Sequence, residues 1–277
     1  MKPLTRPALR YHGGKWRLAP RLLALFPPHR VYVEPFGGGG SVLLRKSRSY
    51  AEVYNDLDSE IVSFFQVLRD PALSEQLETS VRQTPFARAE FEAAYVGQAD
   101  DPVERARRLL IRSFMGFGSD GCNAARNTGF RSNSNRSGTT PVHDWVNYAD
   151  QISAFSARLH GVVIENRPAI SVMQQHDGPD TLHYCDPPYV HETRTAKGKA
   201  YRFEMSDADH ADFLDVVCDL KGAVIVSGYA CDLYDNRLSD WAHVDINTFA
   251  DGARARVERV WLNKAASAPD LFGGEYA

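Results

Sequence analysis

Apolar positions fall in two rhythms along the chain. Val31-Tyr32-Val33-Glu34-Pro35-Phe36 is a short apolar run ending in four glycines and a serine. It predicts a buried strand feeding a tight turn, with a helix starting at Val42-Leu43-Leu44. Ala51-Glu52-Val53-Tyr54-Asn55-Asp56 predicts a second strand ending in acids. From Ser59 to Leu68 the spacing becomes helical, with Ile61, Phe64, Phe65 and Leu68 on one face. Helical sequence continues through Ala87–Tyr95 and Pro102–Phe114. Strand-like runs return at 162–164, 181–185 and 223–226, with an amphipathic helix from Asp207 to Leu220 between the last two. Residues 256–263 alternate as a strand would. Strands alternating with helices at both ends predict a mostly parallel α/β sheet. The middle breaks that rhythm and reads as an insertion between two halves of one sheet. Residues 116–140 are its least regular part: thirteen of these 25 residues are Gly, Ser or Asn. They predict an irregular segment or a loose hairpin, with Arg126, Arg131 and Arg136 recurring every five positions.

Composition narrows the class. With 277 residues, 43% hydrophobic and 24% charged, the chain has material for a real core. No stretch approaches the roughly 18 consecutive apolar residues of a membrane span, and Met1–Pro7 lacks the apolar core of a secretion signal. Cys122, Cys185, Cys218 and Cys231 form no Cys-x-x-Cys pair, which argues against a disulfide framework or structural zinc and for a reducing cytoplasm. The net charge of −3 conceals blocks: +9 over residues 1–48, −9 over 49–104, +6 over 105–140 and −9 beyond. Two basic blocks are what a positive face for a polyanion needs, although arginines pairing with neighbouring acids give the same count.

Three segments carry candidate chemistry. Glu34-Pro35-Phe36-Gly37-Gly38-Gly39-Gly40-Ser41 lies where a strand turns into a helix, where glycine lets backbone approach a nucleotide. Leu43 replaces the third glycine of the dinucleotide fingerprint, and no Gly-Lys-Ser/Thr follows. The loop therefore suits a nucleotide without a phosphate chain better than NAD or ATP. Asp56, 16 residues beyond Gly40, is placed either to accept from ribose hydroxyls or to cap the next helix. Asp186-Pro187-Pro188-Tyr189 directly follows a predicted strand. It holds a carboxylate, free carbonyls and an aromatic face on one rigid turn, suited to accepting two hydrogen bonds from an exocyclic amine and stacking its ring.

Together these segments, with Tyr11-His12-Gly13-Gly14-Lys15 before the first strand, resemble the Dam-type family of N6-adenine DNA methyltransferases. Met205-Ser206-Asp207-x-x-His210, Val224–Ser227 and Val260–Asn263 add to the likeness, which spans nearly the whole chain except the insert. The resemblance implies a Rossmann-like S-adenosylmethionine-dependent methyltransferase sheet (residues 1–62 plus 153–277) with an inserted, mainly helical target-recognition domain (63–152). It implies S-adenosylmethionine as the cofactor, bound by Tyr11, Lys15, Glu34, Phe36, Gly38, Gly40, Ser41, Asp56 and Asp186. Asp186, Pro187 and Tyr189 match the catalytic tetrapeptide. Arg126, Arg131, Asn133, Asn135 and Arg136 are the expected DNA contacts, in a segment only loosely similar to GATC-reading relatives. The implied reaction is methylation of a flipped adenine in double-stranded DNA by a cytoplasmic monomer, with no metal and no membrane. An N4-cytosine DNA methyltransferase and a catalytically silent DNA-binding or S-adenosylmethionine-sensing protein are the alternatives.

Overall fold

The computed structural model describes residues 4–132, 140–193, 201–250 and 254–267. Their strands are β1 (Val31–Glu34), β2 (Ala51–Asn55), β3 (Val162–Glu165), β4 (Thr181–Cys185), β5 (Ala223–Gly228), β6 (Ala242–Ala250) and β7 (Arg254–Leu262). They form one sheet in the order β3-β2-β1-β4-β5-β7-β6. The first five are parallel, and β7 runs antiparallel to both β5 and β6. Every residue of β4 and β5 is buried, which explains their near-continuous apolar sequence: a strand covered on both faces has no polar side to alternate.

Helices cover both faces. Before β1 stands α1 (Ala19–Leu23), and between β1 and β2 stands α2 (Ser41–Arg45). Between β2 and β3 lie α3 (Ser59–Arg69), α4 (Pro71–Gln83), α5 (Arg88–Ala93), α6 (Pro102–Met115), α7 (Pro141–Val146) and α8 (Ala149–Leu159). Later come α9 (Ala169–Gln175), α10 (Asp207–Asp219), α11 (Asp232–Arg237) and α12 (Lys264–Ser267). One core face packs Tyr32, Tyr54 and Ile225 under α1–α4, α6 and α8. The opposite face packs Cys185, Val224, Val226 and Trp261 under α9, α10 and α11. Adjacent residues of β5 thus point into different cores, as the two-residue strand period requires.

The helical stretch between β2 and β3 is the predicted insertion. Its outer helices α3 and α8 run across positions 62 and 152 and pack into the same core as the sheet. Aspartates start its helices: Asp58, Asp70 and Asp101 accept from the first-turn amides of α3, α4 and α6. Its return is pinned by a buried ion cluster. Arg158 of α8 donates to both oxygens of Glu52 at 2.7 and 2.9 Å and to the Leu43 carbonyl at 2.7 Å, while Lys46 reaches Glu52 at 2.8 Å. Residues 116–132 are irregular, with a short 3-10 turn (Asp120–Cys122) and one antiparallel bridge from Gly116 to Phe130. That agrees with the loose hairpin expected there.

The charge blocks resolve differently from a simple positive face. Arg107 and Arg108 pair with Glu104, Arg107 also with Glu90, and Arg112 with Glu60. Much of the second basic block is therefore neutralised within the helical layer. Among the described residues no helix is long and apolar enough to cross a membrane, and the four cysteines are free thiols.

Candidate active site

In an open parallel sheet, ligands bind at the strand C-termini where the chain order reverses. Here β1 and β4 are neighbours, with β2 and β3 on one side and β5 on the other. The end of β1 carries Glu34-Pro35-Phe36-Gly37, and the end of β4 carries Asp186-Pro187-Pro188-Tyr189. A cleft enclosing about 870 Å³, open to solvent, lies over this point. Of the sequence-predicted residues, Tyr11, Lys15, Glu34, Phe36, Gly38, Ser41, Asp56 and Asp186 line it.

The glycine loop is shaped by close approach. Gly38 and Gly40 take φ of +47° and +61°, in the left-handed region. A Cβ on Gly37 would lie 2.1 Å from Cε2 of Tyr54, and one on Gly38 would lie 2.7 Å from the Tyr11 ring. The Tyr54 hydroxyl donates to the Gly38 carbonyl at 2.6 Å and clamps the turn from beneath.

Two acids, Asp56 partly buried and Glu34 fully so, shape this end of the cleft. Asp56 accepts from the Gly38 amide through one oxygen and from the Asp58 amide through the other, both at 2.8 Å. The helix cap is Asp58, which accepts from Glu60 at 3.0 Å. The two roles open to Asp56 are thus divided between neighbours. Burial pushes the Asp56 carboxyl up to about 6, against the hydrogen bonds it accepts. Glu34 accepts from the Tyr32 hydroxyl at 2.7 Å and the Leu43 amide at 2.9 Å. Burial drives its carboxyl up to about 8.

Lys15 reaches the other end. Its ammonium donates to Asp186 Oδ1 at 2.8 Å, to the Tyr189 hydroxyl at 2.7 Å and to the Gly13 carbonyl at 3.0 Å, and lies 2.8 Å from Asp186 Oδ2. Burial alone would lower the Lys15 pKa. The Asp186 and Glu258 carboxylates outweigh that and hold it well above the usual lysine range. Burial raises Asp186 in turn, against the pull of Lys15 and of a Ser227 hydroxyl donating at 3.1 Å. The Tyr189 hydroxyl donates to Glu258 at 3.0 Å, and its ring lies 4.4 Å from that of Tyr229, centroid to centroid. The turn therefore presents a carboxylate beside paired aromatic rings, an arrangement that can accept from an amine and hold a flat heterocycle.

The family described as D12 class N6 adenine-specific DNA methyltransferase matches residues 11–249, from Tyr11 through β6. The chain belongs to that family. A similar relative is a Type II methyltransferase, M1.LlaDCHI, of Lactococcus lactis subsp. cremoris, 24% identical over 214 residues. That alignment covers 72% of this chain and 71% of the relative. For this D12-class methyltransferase, membership makes adenine in DNA the substrate and methyl transfer the reaction.

Lys15, expected with the cofactor residues, lines the cleft and directs its ammonium to the turn that carries Asp186 and Tyr189. Gly40 starts α2 behind the loop, and Pro187 is buried beneath the turn. Among the expected DNA contacts, Arg126 is partly exposed and bonds Asp120 at 3.2 Å. Arg131 is buried, 6% exposed, with its guanidinium on the Phe114 carbonyl at 3.4 Å. Asn133, Asn135 and Arg136 lie outside the described residues. Glu258, Ser227 and Tyr229 were missed. For Glu258 a signal existed: it falls in phase with Val260 and Leu262, both buried, so an acid stands where the strand needs an apolar side chain.

Proposed function

We propose that this methyltransferase moves the methyl group of S-adenosylmethionine to the N6 amine of an adenine flipped out of duplex DNA. The observation that carries this reading is the position of Asp186 at the sheet's switch point, across one cleft from Asp56 and the glycine loop. The cleft suits the cofactor. Asp56, Asp58, Asp186 and Glu204 line it against Lys15 and Arg202, an acidic lining that favours a cationic ligand over a phosphate chain. The glycine cradle, where a Cβ would strike Tyr54 or Tyr11, fits a ligand lying close against backbone. Asp56 would accept from the ribose hydroxyls, with Tyr11, Glu34, Phe36 and Ser41 around the remainder. Bound there, the cofactor supplies an electrophilic methyl carbon on a sulfonium.

This chain's own residues do the rest by positioning and electrostatics. Flipping costs a few kcal/mol of lost stacking, and the Tyr189 ring offsets part of it by stacking the extruded base. Asp186 and the Pro187 carbonyl accept from the two N–H bonds of the amine, which localises its lone pair and orients it along the cleft. The raised Asp186 carboxyl is a suitable acceptor for the proton the amine sheds. The helical insert, residues 63–152, is the target-recognition domain in this reading, with Arg126 as its described DNA contact.

The test is product analysis. Long unmethylated duplex DNA is incubated with tritiated S-adenosylmethionine and digested to nucleosides. Label in N6-methyl-2′-deoxyadenosine is expected. Label in N4-methyl-2′-deoxycytidine, or none in DNA, overturns the reading.

A further inference from the structure

Lys15 and Asp186 pose a chemical problem that Glu258 resolves. An ammonium has three donors, and those of Lys15 are taken by the Gly13 carbonyl, Asp186 and the Tyr189 hydroxyl. Lys15 engages both Asp186 oxygens, at 2.8 Å each. A target amine that must donate to Asp186 therefore meets an acceptor already occupied by a stronger, charged donor.

Glu258 is within reach of the same ammonium, 3.4 Å from Nζ. It comes from β7, a different part of the chain, and is almost completely buried, with a side chain 3% exposed. It also accepts the Tyr189 hydroxyl proton at 3.0 and 3.1 Å. Lys15, Tyr189 and Glu258 thus form a chain in which the ammonium donates to the phenol oxygen and the phenol donates to the carboxylate. Two carboxylates, Asp186 and Glu258, face one ammonium. A buried charge that loses its partner without gaining another is strongly disfavoured, so Lys15 can leave Asp186 only if a second counter-ion is at hand.

We infer that Glu258 is a positioning residue for methyl transfer: it takes over the Lys15 ammonium when the adenine amine enters, and so frees Asp186 to accept from N6. The inference rests on the reading of Asp186 as the amine's acceptor. Burial raises the Glu258 carboxyl, and the nearby Lys15 ammonium pulls it back down. Tyr189, bonded at once to Lys15 and Glu258, remains fixed as a stacking surface while the ammonium shifts between carboxylates.

The test compares Glu258→Gln, which keeps shape but removes charge, with Glu258→Asp, which keeps charge but shortens the side chain. Single-turnover methyl transfer is measured from tritiated S-adenosylmethionine to long unmethylated duplex DNA. Calorimetry gives cofactor affinity, and melting curves report folding. The expected result is a Glu258→Gln rate at least tenfold below the parent at unchanged cofactor affinity, with Glu258→Asp restoring most of it. A packing role gives the reverse order, because Gln preserves the volume. Gln as fast as or faster than Asp, both equally impaired, or Gln within twofold of the parent overturns the inference. Asp186→Ala run alongside separates the two readings. If that variant methylates within tenfold of the parent rate, the underlying assignment of Asp186 falls. If it is slowed a hundredfold or more while Glu258→Gln is normal, only the role of Glu258 falls.

Discussion

Replacing Asp56 by Ala perturbs the glycine-loop end of the cleft without touching the turn that carries Asp186. The substitution removes the acceptor of two backbone amides, Gly38 and Asp58, each held at 2.8 Å. It also removes the carboxylate proposed to hold the ribose hydroxyls. A hydrogen bond to a charged group contributes about 1.5–3 kcal/mol, so cofactor affinity should weaken by roughly 10- to 150-fold, at about 1.4 kcal/mol per tenfold. The two freed amides lie beside an open cleft and regain water, so the stability cost should be near 1–2 kcal/mol. For a chain of this length that is a fall in Tm of about 2–4 °C. The pH dependence is a second check. Burial holds Asp56 at about 6, and only its ionised form accepts from both hydroxyls. Parent affinity should therefore be full above that value and fall as pH drops through it, weakening about tenfold by pH 5, one unit below. Asp56→Asn should be weak and lack this titration. Isothermal calorimetry of the three proteins between pH 5 and 8 reads both effects. Unchanged affinity in a folded Asp56→Ala protein refutes the assignment.

Three further outcomes follow from other parts of the structure. Glu34 is raised in the fold to about 8, so its contribution to stability is full below the ordinary glutamate value and lost as pH rises towards 8. Glu34→Gln should gain on the parent in Tm between pH 5 and 8.5, and a constant gap across that range would contradict the burial argument. Gly37→Ala would place a Cβ 2.1 Å from a Tyr54 ring that is itself hydrogen-bonded to the loop. Overpacking there should cost about 1–3 kcal/mol, seen by calorimetry as a lowered Tm, and a variant as stable as the parent would show that the turn yields freely. Arg126→Ala should lower the salt slope of DNA binding by about one, as for a phosphate contact. Arg131→Ala should lower Tm and leave that slope unchanged, since its guanidinium is spent on the Phe114 carbonyl; measuring both variants by salt-titrated binding and thermal melts reverses the assignment if the effects are exchanged.

The parts of this molecule legible in the sequence were those where one local rule decides. The runs at β4 and β5 are buried along their whole length and mostly apolar, and Asp186-Pro187-Pro188-Tyr189 is a rigid turn whatever surrounds it. Four of the insert's features were harder. The helices α4 and α7 bury few apolar side chains, and in α8 the buried Ile152, Phe155 and Leu159 are interleaved with the buried polar Gln151 and Arg158. Arg131 looked like a DNA contact because glycine, serine and asparagine surround it in sequence. In space it folds under the loop to satisfy the Phe114 carbonyl. The edge strand β6 was missed although Ile246 is buried, since Ala242, His243, Val244, Asp245 and Asn247 are all exposed. Lys15 and Glu258 meet Asp186 from 171 and 72 positions away, and neither partner is set by any local pattern. Only the topology that brings β7 beside β5 puts them together.

The most direct test of the catalytic assignment is single-turnover methyl transfer by Asp186→Ala, set beside its cofactor affinity. Removing an acceptor that acts on the reacting group should slow the chemical step on the order of 10²–10³-fold. The glycine loop and Asp56 remain intact, so S-adenosylmethionine should still bind and the melting temperature should stay close to the parent's. Lys15 keeps Glu258 and Tyr189 as partners within 3.4 Å, which preserves the folded site. A folded Asp186→Ala protein that binds cofactor and methylates adenine within tenfold of the parent rate would contradict the account, because the amine would then be held by something other than the turn at the end of β4.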